Sequence, residues 1–191
     1  MAEQAARRTP ILAPSAARPE AAISIAPMVP AARFALRLPE AAAKAIGSAA
    51  GFRLDMAINR SAAARDGRLA ARLGPDEWLL HGPETASEAI ARDVEAALAG
   101  RHFALVDIGH RNVAIAVAGA HARAVINGGC PLDLDDDAFP PGSATRTLLG
   151  KAEIVLLRPD EAPVFRIECW RSFAPYVLGL LEEVGREFAG A

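Results

Sequence analysis

Between Gly128 and Lys151 the chain is crowded with residues that fix backbone shape, and this stretch most constrains the fold. Gly128-Gly129-Cys130-Pro131 reads as a helix-ending turn, since proline has no amide donor. Phe139-Pro140-Pro141-Gly142 is excluded from a central strand for the same reason. Before the stretch, Val113, Ile115 and Val117 alternate with alanines and predict a strand. After it, Ala144–Leu149 and Ala152–Leu157 predict a hairpin about Gly150-Lys151, with Ile154-Val155-Leu156-Leu157 apolar on both faces as a central strand should be. Val164–Cys169 is the last strand. Ser172 is expected to cap a final helix with the stripe Phe173, Val177, Leu180, Leu181, Val184 and Phe188.

The first half of the chain is read from the same signals. Arg33–Leu38 alternates as a strand, Glu40–Ile46 is a short helix entered through Pro39 and closed by Gly47, and Phe52–Ile58 alternates again. Asn59–Gly67 is predicted to be a polar connection. Arg68–Leu73 and Glu77–His81 flank Gly74-Pro75-Asp76 as a hairpin. Thr85 and Glu88 form a potential capping box for a helix carrying Ile90, Val94 and Leu98, which Gly100 closes. Phe103–Ile108 begins the second unit. Ala114, Ala116 and Ala118 offer a face small enough for a helix to sit close. The expected class is α+β, with two intimately packed halves, about 31–100 and 101–191, of antiparallel sheet bearing helices on one face. Residues 1–30 form an Ala/Pro-rich arm. Its prolines exclude a long helix or central strand, and its composition leaves two readings, a disordered tail or an arm along a partner chain.

A net charge of −2 with no basic stripe argues against nucleic-acid binding. No apolar run is long enough to span a bilayer, and Arg7-Arg8 is followed by no signal-peptide core. With only Cys130 and Cys169, no disulfide framework is available, and a cytoplasmic protein is expected. His81, His102, His110 and His121 show no ligand spacing, and the Asp133–Asp137 cluster lacks the glycine and glutamate of a calcium loop, so no metal is expected. No GxGxxG or phosphate loop is present, so direct flavin or NAD binding has no support. Cys130, His110 and Asp107 have the residue types of a thiol nucleophile with base and orienter. The turn around Cys130 explains that cysteine equally well as a small core residue. No catalytic residue is therefore assigned.

Five segments in order, Leu73-Gly74-Pro75-Asp76-Glu77-Trp78-Leu79-Leu80, Gly128–Leu134, Ala138–Gly142, Leu148–Ala152 and Trp170–Ala174, give the chain from about Arg68 onward its resemblance to the gamma subunit of heterotetrameric sarcosine oxidase. More distantly, Val106–Ile108 through Val117–Ala122 resembles the strand-Gly-helix segment of folate-dependent aminomethyltransferases. Those proteins often carry Asp-x-Ser where Asp107-Ile108-Gly109 stands, and their Tyr-Gly-Asp motif has no counterpart here. The resemblance implies a related fold with the active site lost. It implies a scaffold subunit, with FAD, FMN, NAD and tetrahydrofolate held by partner alpha, beta and delta subunits in a complex that demethylates sarcosine to glycine. The alternative is a free-standing folate-dependent transferase or folate-binding protein. Partner contacts are expected at Cys130, Pro131, Leu132, Phe139 and Pro140, and at Trp170-Arg171, since Trp and Arg are enriched in interface hot spots.

Overall fold

The computed structural model describes residues 10–64 and 66–188. The first half contains β2 (Ala31–Arg37), α1 (Glu40–Ile46), the two-residue strands β3 (Ser48–Ala49) and β4 (Phe52–Arg53), β5 (Arg60–Ala63), β6 (Leu69–Arg72), β7 (Glu77–Pro83) and α2 (Ser87–Ala97), and is preceded by β1 (Ser24–Pro27). The second contains β9 (Asn112–Ala118), α3 (Ala122–Asn127), β10 (Ser143–Leu149), β11 (Ala152–Arg158), β12 (Val164–Trp170) and α4 (Ala174–Gly185), and is preceded by β8 (Ala104–Asp107). Among the described residues, ten strands form one sheet in the order β1-β9-β12-β11-β10-β5-β6-β7-β2-β8, with antiparallel pairing throughout.

That order is a duplication. In each half the first strand of the large sheet pairs with the last, and the last with the one before it, so β2-β7-β6-β5 mirrors β9-β12-β11-β10. The register agrees residue by residue. Arg33 pairs with His81 where Ala114 pairs with Glu168, and Arg60 pairs with Arg72 where Ser143 pairs with Arg158. The halves join at Arg60 and Ser143, which pair with each other. On either side of this joint Ser61 N–H donates to the Gly142 carbonyl and Ala144 N–H to that of Asn59. Asn59 and Gly142 both take positive φ, 62° and 78°, the left-handed region that glycine and asparagine tolerate best. The strands that lead into the halves are exchanged. β1 precedes β2 but pairs with β9, and β8 precedes β9 but pairs with β2.

Alternation along each strand sends one set of side chains to the helices and the other to an inner face. Phe34, Leu36, Trp78 and Leu80 pack with Ile90 and Val94 of α2, while Ile115, Val117, Phe165 and Ile167 pack with Val125 of α3 and Val177 and Leu181 of α4. On the inner face Ala71 and Leu79 meet Ala144, Val155 and Leu157. The sheet is therefore curled until the inner faces of its two halves touch.

Several details differ from the sequence expectation. Asn59–Gly67 contains β5, whose short side chains give little strand signal and whose pairing comes from β6 and the β10 joint. Beyond β4, Leu54 and Met56 are buried in alternation without ladder pairing, and Ile58 is exposed. Neither Thr85 nor Ser172 makes a side-chain cap, because each lies in a 3-10 turn, Glu84–Ala86 or Arg171–Phe173, that runs straight into the helix. Helices cover the valine and isoleucine side of β9, not its alanines, which face inward. The end of the proline-rich arm is an edge strand of its own chain, β1, and Leu12, Ile23 and Ile25 pack on the second-half core.

Candidate functional site

The inner joint holds a buried ionic cluster. Arg33 on β2 donates from Nε to Glu168 Oε2 at 2.8 Å, although β11, β10, β5, β6 and β7 separate β12 from β2 in the strand order. Arg166 donates to Glu168 Oε1 from Nε at 2.8 Å, and its Nη2 lies 2.5 Å from His81 Nδ1. His81 and Glu168, at equivalent places in the two halves, stand 3.6 Å apart. Burial would raise the Glu168 carboxyl, but the Arg166 charge and the charge and hydrogen bond of Arg33 hold it below the usual carboxylate range. Burial drives the His81 imidazole well below its usual value, and the Arg166 and Arg33 charges add to the effect. His81 is thus neutral and accepts from Arg166, and its buried Nε2 has no partner. Alanines and these charged groups fill the joint, where a cavity of about 40 Å³ opens between Leu79, Ile108, Val155 and Glu168. That space admits water.

The sequence did not mark these four residues, because Arg166 and Glu168 alternate with Phe165, Ile167 and Cys169 as a solvent face would. The one available signal was His81 following the apolar run Trp78-Leu79-Leu80.

The Cys130–His110–Asp107 set is dispersed. Cys130 is buried in the second-half core beneath α3, its Sγ 4.0 Å from Thr147 Oγ1. Asp107 ends β8 and accepts from Gly109 N–H at 2.8 Å, in the turn that carries His110. Cys169 is buried too, and burial with Glu168 beside it pushes its thiol up to about 12. In the acidic loop, Asp136 accepts from Arg158 at 2.5 Å and from Arg123, which lower its pKa, and Asp133 accepts from Asp135 N–H at 3.0 Å. Among the described residues no three His, Cys, Asp or Glu side chains converge as metal ligands would.

Of the expected contact residues, Cys130 and Phe139 direct their side chains into the chain's own core, Leu132 and Pro140 are half-buried, and Pro131 is exposed. Trp170 stands at the corner between β12 and α4. Its ring lies 5.4 Å from the Arg111 guanidinium and 6.3 Å from the Phe173 ring, and Arg171 N–H donates to the Arg111 carbonyl at 2.7 Å. Phe173, expected to join the buried stripe of α4, is exposed beside it.

Comparison with known proteins accords with this architecture. Residues 37–187 match the profile of the "Sarcosine oxidase, gamma subunit family". The sarcosine oxidase subunit gamma of an Arthrobacter species is 31% identical over 117 residues, 61% of this chain and 57% of that one, so the alignment spans little more than half of that relative's length. A chain of the heterotetrameric sarcosine oxidase from Corynebacterium sp. U-96, solved in complex with pyrrole 2-carboxylate, superposes with a TM-score of 0.78 at 26% identity, covering 92% of this chain and 89% of that one. The glycine cleavage system aminomethyltransferase T from Bartonella henselae shares the fold, with a TM-score of 0.65 at 16% identity over 85% of this chain and 46% of that one. By the extent of the family match, the chain is a member of the sarcosine oxidase gamma subunit family.

Proposed function

We propose that this chain is the gamma subunit of a cytoplasmic heterotetrameric sarcosine oxidase and works there without an active site of its own. Sarcosine is oxidised to glycine on the alpha and beta subunits, which together with delta hold FAD, FMN, NAD and tetrahydrofolate. The gamma chain stabilises the flavin-bearing alpha subunit. The observation that carries this reading is the inner joint, where the buried side chains of Arg33, His81, Arg166 and Glu168 meet between the halves. A buried cluster of this kind fixes the packing of the two halves, as removing either sign would strand the other in low dielectric.

The test is to purify the tagged chain with its co-expressed partners and record mass and visible absorbance. A large complex with flavin colour, from which the separated gamma chain emerges colourless, is expected. A colourless monomer that binds tetrahydrofolate in calorimetry would overturn the reading in favour of a folate-dependent transferase.

A further inference from the structure

We infer that a stripe across the β12–α4 corner is the docking surface for the large flavin-bearing subunit, and that it receives an apolar segment edged by carboxylates. This inference rests on the subunit reading above. The stripe runs from Arg111 over Trp170 and Phe173 to Tyr176, whose hydroxyl accepts the Lys151 N–H at 3.0 Å. Trp170, Phe173 and Tyr176 are 44%, 38% and 41% exposed, three of the eight large apolar side chains that the described residues leave in water. Three exposed aromatics at one corner are unusual on a surface that stays wet.

The duplication supplies an internal control. Pro83 ends β7 where Trp170 ends β12, and the 3-10 turns Glu84–Ala86 and Arg171–Phe173 follow at the same interval. The first half therefore builds the same corner with Pro83, Ala86 and Ala89 in place of Trp170, Phe173 and Tyr176. The fold does not require aromatics here. Packing within the chain does not explain them either, since the core is made on the other side of α4 by Ala174, Val177 and Leu181.

Charge selects the occupant. Arg111 and Lys151 stand at the two ends of the stripe, and neither has a carboxylate within ion-pair distance among the described residues. The carboxylate nearest in register, Glu153 opposite Leu148, is already paired with Arg146 at 2.9 Å. Two cations bracketing an apolar centre call for carboxylates bracketing an apolar segment, with Trp170 and Arg111 as anchors. A second copy of this chain fits poorly, because a two-fold axis across the stripe sets Arg111 of one copy against Lys151 of the other.

The experiment titrates full-length chain into the complex prepared without it, using wild type, Trp170→Ala, Arg111→Glu, Lys151→Glu and an Ile58→Ser control on a separate exposed site. Thermal melts verify the fold of each free variant, and Trp170→Phe serves if Trp170→Ala unfolds. Trp170→Ala is expected to weaken binding by about thirty-fold, the size of an interface hot spot. Arg111→Glu and Lys151→Glu should weaken it with a reduced salt dependence, and Ile58→Ser should bind as wild type. Stripe variants binding like wild type would overturn the surface while leaving the subunit reading intact. Concentration-dependent self-association of the wild type, lost in the same variants, would overturn it in favour of a homodimer contact. Wild type failing to bind the remaining subunits would refute the subunit reading itself.

Discussion

Arg72 and Arg158 are the same residue of a repeated unit. The first places its guanidinium 5.1 Å from the ring of Trp78, the second 5.9 Å from that of Phe165, and those two aromatics are themselves equivalent. Each arginine is buried, and each accepts an amide on its own carbonyl from the joint residues, Asn59 and Gly142. Arg72 also donates to the carbonyls of Met56, Gly74 and Pro75. Arg72→Met should therefore cost about 2–4 kcal/mol, since the stem packs as before but carbonyls lose charged donors. Urea unfolding of the isolated chain measures it, and a loss below about 0.5 kcal/mol would show the contacts to be incidental.

Glu168 is the sole carboxylate among two buried arginines and a neutral histidine. Glu168→Gln should destabilise by about 3–5 kcal/mol, because Arg33 and Arg166 would be left without a counter-charge. The double variant Arg33→Met/Glu168→Leu should recover part of that loss, as replacing a buried pair by apolar groups is often close to neutral. Denaturant midpoints of the three proteins decide it.

The same cluster sets a pH dependence. The folded His81 titrates well below its ordinary value of 6.5, so as pH falls the unfolded chain takes up a proton first. Its contribution to stability is complete above about pH 6.5 and is lost as pH drops towards the folded value. Glu168, ordinarily 4.5 and held below it, withdraws a second contribution as pH falls below about 4.5. Thermal melts from pH 8 to pH 4 should show a decline that begins near 6.5 in wild type and is flatter in His81→Asn.

Gly119 holds the arm. It sits at φ +106°, and a Cβ there would lie 2.3 Å from the carbonyl oxygen of Ala21. Gly119→Ala should release the segment before β1, visible as faster amide exchange over residues 21–27 than in wild type, with a stability loss of about 1–3 kcal/mol. Unchanged exchange there would show that the arm docks without this close approach.

Cys130 and Cys169 are both buried, and Cys169 has its thiol pushed up to about 12. Neither should react with an aromatic disulfide reagent until the chain unfolds, so native labelling should track global opening. Rapid native labelling of Cys130 would reopen a thiol role.

Much of the fold was legible because its strands alternate and its turns carry glycine and proline. β9, the β10–β11 hairpin and β12 lie where Val113, Ile154 and Ile167 placed them. β5 was not, since Arg60-Ser61-Ala62-Ala63 has no apolar face and becomes a strand only when Ser143 closes against it. The inner cluster was hidden for a related reason. Charges on alternate strand positions mark solvent, unless a sheet curls far enough to bring them face to face. Trp170 and Arg171 could be singled out by residue type, but their exposure depends on a corner geometry that no local pattern specifies.

The exchange of β1 and β8 has a consequence for the order in which the chain can mature. The first unit is not complete until β8 has been made, and β1, synthesised before everything it supports, waits for β9, whose partner residues Ala118 to Ile115 lie some ninety positions later. Neither unit can close by itself on an emerging chain, so folding is governed by long-range pairing and is slow for its size. During that wait Ile23 and Ile25 remain uncovered, which makes the nascent arm the segment most in need of protection.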